Sequence, residues 1–179
     1  MGFAGGGGGI AARLGAKIRP EGKVTVIISY GSALDQVTAL RLQALGAVNG
    51  LTVYVPPAYT RHLDQEFIDP DVSRKIQEAD VVLGVILGGV SPSCRSELNL
   101  GLTLKKSMIV MSDPIFAPDL QPIFGSNLVI IDPANPGRAE TDIVHRLKSQ
   151  NVQKGAATAL IALGTVTLGL MLLSAASKE

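Results

Sequence analysis

The sequence has no tryptophan, and aromatic residues make up only 4% of its 179 residues. That leaves too few rings for a base-stacking platform. Its 16 basic and 15 acidic side chains nearly cancel, so no field strong enough to hold a polyanion builds up. Nucleic acid is therefore not an expected partner. One cysteine, Cys94, excludes an internal disulfide, and with only two histidines there is no set of ligands at metal-binding spacing. No Walker lysine motif and no GxSxG elbow occur, which removes nucleotide triphosphatases and serine-triad hydrolases from consideration. The first apolar run ends without an acid, as a phospho-receiver domain would require.

What is present is unevenly distributed. Residues 1–23 carry four basic side chains against Glu21 and a run of five glycines, which reads as a basic, disordered leader. Residues 24–150 hold ten basic and thirteen acidic groups and form the expected folded domain. Residues 155–177 contain no charge and lie between Lys154 and Lys178; about 20 apolar residues suffice to cross a bilayer. A transmembrane helix is expected there. Arg146, Lys148 and Lys154 precede it and only Lys178 follows, so the positive-inside bias places the domain in the cytoplasm of a tail-anchored, single-pass protein.

Within the domain, five short β-branched runs at 24–29, 51–55, 81–87, 108–112 and 127–131 are apolar almost throughout. Continuous apolar strands separated by helix-length segments are the mark of a parallel sheet covered on both faces. Helices are expected at 32–48, with Leu34, Val37, Leu40/Leu42 and Leu45 at helical spacing, at 71–79 with Val72 and Ile76 inward, at 93–104, and at 137–148 with Ile143 and Leu147 inward. Three prolines between 113 and 126 permit only short helical turns there. The default arrangement is flavodoxin-like, a five-stranded parallel sheet in order 2-1-3-4-5.

Such a sheet binds ligands beyond the carboxyl ends of its strands where the order reverses, between strands one and three. Ser29, Tyr30, Gly31 and Ser32 are delivered there by the first strand, and the segment from Gly88 to Ser91 by the third. The loop after strand two, from Pro56 to Pro70, is long enough to act as a lid. Glu97 follows the third-strand loop. With Ser93 as N-cap it would be a first-turn acid favoured by the helix dipole; alternatively it is a carboxylate facing the crevice, able to stabilise an oxocarbenium-like centre. Spacing does not separate these readings. Cys94 is read as a small buried cysteine in preference to a thiolate, and His62 and His145 as surface residues.

The stretch from Val24, "VTVIISYGSALDQ", and the later "VVLGVILGGVSPSCRSELNLGL" together resemble a bacterial TIR (Toll/interleukin-1 receptor) domain across 24–150. The likeness is carried by Ile28-Ser29-Tyr30 with Ser32, and by the Cys-x-x-Glu-Leu turn at Cys94, Glu97 and Leu98, where many members have Trp in place of Ser93. That resemblance implies the flavodoxin-like fold, self-association through TIR–TIR contacts and, in many members, cleavage of NAD+ as substrate with no further cofactor. It assigns Glu97 as the catalytic residue and Ser29, Tyr30, Gly31, Ser32, Tyr54, Arg61, Ser91 and Cys94 to the nucleotide site. Two departures stand out: Gly31 occupies the place of an Arg or Lys, and "PPAYTRHLDQ" replaces the animal-type proline-glycine loop. The expected activity is NAD+ cleavage to nicotinamide and ADP-ribose or a cyclic ADP-ribose in bacterial defence or stress signalling. Two alternatives remain, a non-catalytic membrane adaptor acting through TIR–TIR contacts and a nucleoside deoxyribosyltransferase-like enzyme.

Overall fold

The computed structural model describes residues 24–58 and 63–149. The expected leader at 1–23, Arg61, His62 and the expected span at 155–177 lie outside the described residues. No helix among the described residues is long and apolar enough to cross a membrane.

In chain order the elements are β1 (Thr25–Tyr30), α1 (Ala33–Val48), β2 (Thr52–Tyr54), α2 (Pro70–Glu78), β3 (Val81–Ile86), α3 (Pro92–Thr103), β4 (Ser107–Ser112), α4 (Ala117–Phe124), β5 (Leu128–Ile130) and α5 (Pro136–Ser149). All four strand pairings are parallel and the order is β2-β1-β3-β4-β5, as the strand spacing predicts. Every residue of β3 is buried, which explains its unbroken apolar run: both of its faces are covered. β5 at the edge leaves Ile130 exposed.

Alternation along β1 divides the core in two. Ile27 packs with Val72 and Ile76 of α2, Cys94 and Leu98 of α3, and Leu120 and Phe124 of α4. Val26, Ile28 and Tyr30 pack on the other face with Ala39 and Leu42 of α1 and with Ile143 and Leu147 of α5. Ser29 shares the face of Ile27 and so points toward α3. Gly84, its register partner on β3, has no side chain, and a Cβ there would stand 3.2 Å from Leu98. That gap lets α3 settle onto the sheet beside Ser29.

Three expectations are corrected. Of the large apolar residues expected to face inward from α1, only Leu42 is buried; Leu34, Val37, Leu40 and Leu45 are exposed, and the sheet-facing positions are Asp35, Ala39, Leu42 and Gly46. Close approach decides this orientation, because a Cβ on Gly46 would come within 2.5 Å of Val53, and the small residues 39 and 46 allow the helix to sit where leucines would hold it off. Second, the proline-rich segment does form a two-turn helix, α4, with Pro118 in its first turn, where an amide donor is not needed, and Pro122 accommodated inside. Third, α3 starts at Pro92 with Ser91 as its N-cap, whose Oγ accepts from the Cys94 amide at 3.2 Å; Ser93 is not the cap.

Candidate functional site

The shift of the cap by two residues changes the meaning of Glu97. It is the sixth residue of α3, in the second turn, where the N-terminal dipole no longer explains an acid. It is also only 2% exposed. Burying a carboxylate in this way is costly unless it is hydrogen-bonded. The last polar residue of β1 meets that need: Ser29 Oγ donates to Glu97 Oε2 at 2.6 Å, a short charge-assisted distance. Cys94 Sγ stands 3.3 Å from the same hydroxyl oxygen and is fully buried. A strand end and a helix second turn thus hold one carboxylate between them at the point where the strand order reverses.

A second buried acid, absent from the expected site, lies across the sheet edge. Asp35 of α1 is fully buried, and its Oδ1 accepts from the amides of Leu87 at 3.1 Å and Gly88 at 2.9 Å. Its Oδ2 has no hydrogen-bond partner among the described residues. Burial pushes the Asp35 carboxyl above its ordinary range, against the opposing hydrogen bonds from Gly88, Ser32 and Leu87. Ser32 caps α1, its Oγ accepting from the Asp35 amide at 3.2 Å. The Ser32–Asp35 spacing is a capping signal readable in the sequence. What it does not reveal is that the acid turns away from its own helix to hold the loop after β3.

That loop meets the first-strand loop backbone to backbone. Gly31 donates its amide to Val85 O at 3.2 Å, and a Cβ on Gly31 would lie 1.9 Å from the carbonyl oxygen of Gly89. Gly89 itself has φ +132°, a conformation that side-chain-bearing residues rarely adopt. Position 31, where the TIR resemblance would lead one to expect Arg or Lys, is therefore closed by contact between the two loops, with no room for a side chain.

The remaining expected residues disperse. Ser91 reaches Ser93 Oγ at 3.2 Å and stays with the Cys94–Glu97 turn. Tyr30 is buried in the α1–α5 half of the core, away from Ser29, and its hydroxyl donates to the Pro56 carbonyl at 2.8 Å, fixing the start of the loop after β2. Tyr54 faces α2, donating to Asp71 at 3.2 Å with Lys75 5.4 Å from its ring centre. Arg95, buried on α3, pairs with Glu66 at 3.6 Å and so ties the later part of the same loop to the helix that carries Glu97. Nothing in the sequence marks Arg95, because a lone arginine in a helix carries no spacing signal. The loop is thus fastened on both sides of residues 59–62.

Among the described residues no group of three or more His, Cys, Asp or Glu side chains could hold a metal ion. A cavity of about 400 Å³ does occur, but at the carboxyl end of β5, lined by Val129, Ile130, Asp132, Arg138 and Asp142, on the opposite side of the sheet order from β1.

No family model matches the chain, and no curated protein matches it. Among solved structures it is similar to the TIR domains in the structure of the activated Roq1 resistosome directly recognizing the pathogen effector XopQ. The identity is 14% over 84% of each chain, with a TM-score of 0.44. A likeness that distant adds nothing to the strand order already described.

Proposed function

We propose that this chain is a TIR-type NAD+ glycohydrolase in which Glu97 is the catalytic carboxylate, acting in bacterial defence or stress signalling and held to a membrane by residues 155–177. One observation carries the reading: an acid outside the reach of the helix dipole is buried at the strand reversal and held by a serine at the end of β1. A fold gains little from burying a charge it could have left in water, whereas a reaction that develops positive charge gains from a fixed, desolvated anion.

In the proposed reaction the bond between ribose C1′ and the nicotinamide nitrogen breaks, and the electron pair leaves with nicotinamide, which departs neutral and needs no general acid. The ribosyl centre becomes cationic, and the carboxylate of Glu97 stabilises it. Water then adds at C1′ and releases a proton, giving ADP-ribose; capture by the substrate's own adenine would give the cyclic product. Ser29 is a positioning residue, since its hydrogen bond fixes which way the Glu97 carboxylate faces. The loop after β2 is tied to β1 through Tyr30 and to α3, the helix that carries Glu97, through Arg95.

A second reading, a membrane adaptor that only binds other TIR domains, draws support from the closed contact between Gly31 and Gly89, which fills the place of a basic nucleotide-binding side chain. Concentrated full-length protein incubated with NAD+, and separately with a deoxynucleoside, distinguishes the readings. Nicotinamide release that disappears in Glu97→Ala, with folding retained, supports the glycohydrolase. Base exchange on the deoxynucleoside supports the transferase alternative, and inertness toward both while TIR partners still bind supports the adaptor.

A further inference from the structure

Among the described residues, the outer face of α1 carries five exposed large apolar side chains. Leu34, Val37, Leu40 and Val48 are exposed by 77%, 60%, 49% and 81%, and Leu45 by 36%. These residues recur at spacings of three to five along one side of a 16-residue helix about 24 Å long, opposite the sheet-facing positions Asp35, Ala39, Leu42 and Gly46. The one charge within the stripe, Arg41, is drawn aside by Glu140 of α5 at 3.1 Å. A continuous stripe of this kind on a soluble domain marks a surface that meets something apolar.

The neighbouring helix says where the chain goes next. Arg41 pairs with Glu140, and eight residues further along both helices Lys148 donates to Asn49 at 3.2 Å, so α1 and α5 run parallel, side by side and in step. α5 is described as far as Ser149, which lies beside the end of α1. Only five residues, 150–154, separate Ser149 from the uncharged segment 155–177. Five residues reach up to about 17 Å, enough to turn the chain back over α1. The 23 residues that follow would cover about 34 Å as a helix and more if extended, longer than α1 in either case.

From this juxtaposition we propose that, away from a bilayer, segment 155–177 folds back and docks on the Leu34–Val37–Leu40–Leu45–Val48 stripe of α1 within the same chain. The two apolar surfaces then cover each other. Both are nearly free of charge, and the short link gives a high effective concentration that a separate partner would have to outcompete. The same segment cannot lie in a membrane and on α1 at once. Insertion into a bilayer therefore uncovers the stripe, and membrane attachment becomes coupled to exposure of a surface able to bind other proteins.

The test uses the full chain in detergent-free, lipid-free buffer and the rate at which a maleimide reagent modifies an introduced thiol. Val37→Cys and, independently, Leu34→Cys report on the stripe; Ile115→Cys, 74% exposed and not on α1, gives the unprotected rate. Cys94 is buried and provides a slow background. The proposal expects both stripe thiols to react about tenfold more slowly than Cys at 115, independently of protein concentration, because the docked state limits access. Adding Leu168→Asp and Leu172→Asp should restore the control rate. Unprotected stripe thiols would overturn the proposal. So would protection that rises with protein concentration, which assigns the stripe to a second copy, or protection that survives the double Asp substitution. None of these readouts depends on NAD+ cleavage, so failure of docking is distinct from failure of the proposed activity.

Discussion

The two buried acids at the carboxyl edge of the sheet, Asp35 and Glu97, occupy similar depths but are held differently. Asp35 accepts from two backbone amides of the loop after β3, groups whose positions are set by the chain itself. Glu97 accepts from a side-chain hydroxyl at the end of β1. Backbone donors make a fastening, and the carboxylate they hold is committed to keeping a loop in place. The Ser29 hydroxyl orients the Glu97 carboxylate through a side chain whose own place is set by β1. One acid fastens a loop to α1; the other is oriented on α3 by a serine of β1.

The contrast breaks most severely at Gly31. Replacing it with Ala places a Cβ 1.9 Å from Gly89 O, and the backbone on both sides has no slack, so a loss of about 3 kcal/mol or failure to fold is expected. Chemical denaturation measures it directly. A Gly31→Arg variant that is as stable as wild type would show that the two loops part readily.

Next in size is Asp35→Ala, which strips the amides of Leu87 and Gly88 of their acceptor and should cost about 2 kcal/mol in denaturant. The Asn variant sharpens the point through pH. Because the folded-state pKa of Asp35 is raised, the folded form binds more protons than the unfolded form between the two values, and stability falls as pH rises through that window. Asp35→Asn removes this slope. Its stability relative to wild type is expected to improve from pH 3 to neutrality, and an unchanged difference across that range would mean that Asp35 is not strained by burial.

Smaller effects are expected where only one hydrogen bond is lost. Ser29→Ala leaves Glu97 buried with a hydroxyl donor missing; we expect about 1 kcal/mol of stability to go, together with roughly tenfold in NAD+ cleavage. Loss of stability without loss of turnover would make Ser29 merely structural. Tyr30→Phe removes the bond to the Pro56 carbonyl and should cost about 1 kcal/mol, with faster hydrogen exchange in the loop after β2.

The sheet was legible because parallel strands buried on both faces leave long apolar runs, and five such runs at crossover spacing admit few orders. Ser29 was legible from its place at the end of the first strand and Glu97 from the turn that resembles the TIR pattern, but nothing in the sequence joined the two; spacing left Glu97 open between a first-turn acid and a carboxylate facing the crevice. The orientation of α1 was not legible. Apolar spacing points to the leucines, whereas the helix docks through Ala39 and Gly46, residues selected by the room they leave. Nothing in the sequence marks Asp35 as more than a first-turn acid, because its partners are amides, which every sequence has and none advertises.

The most direct measurement compares single-turnover nicotinamide release from NAD+ by wild-type protein and Glu97→Gln, a variant whose amide oxygen can still accept from Ser29. The carboxylate account predicts release by the wild type and a drop of at least about a thousandfold in the variant, with melting behaviour nearly unchanged. Equal release by the two proteins, or none by either even at high protein concentration, would contradict it.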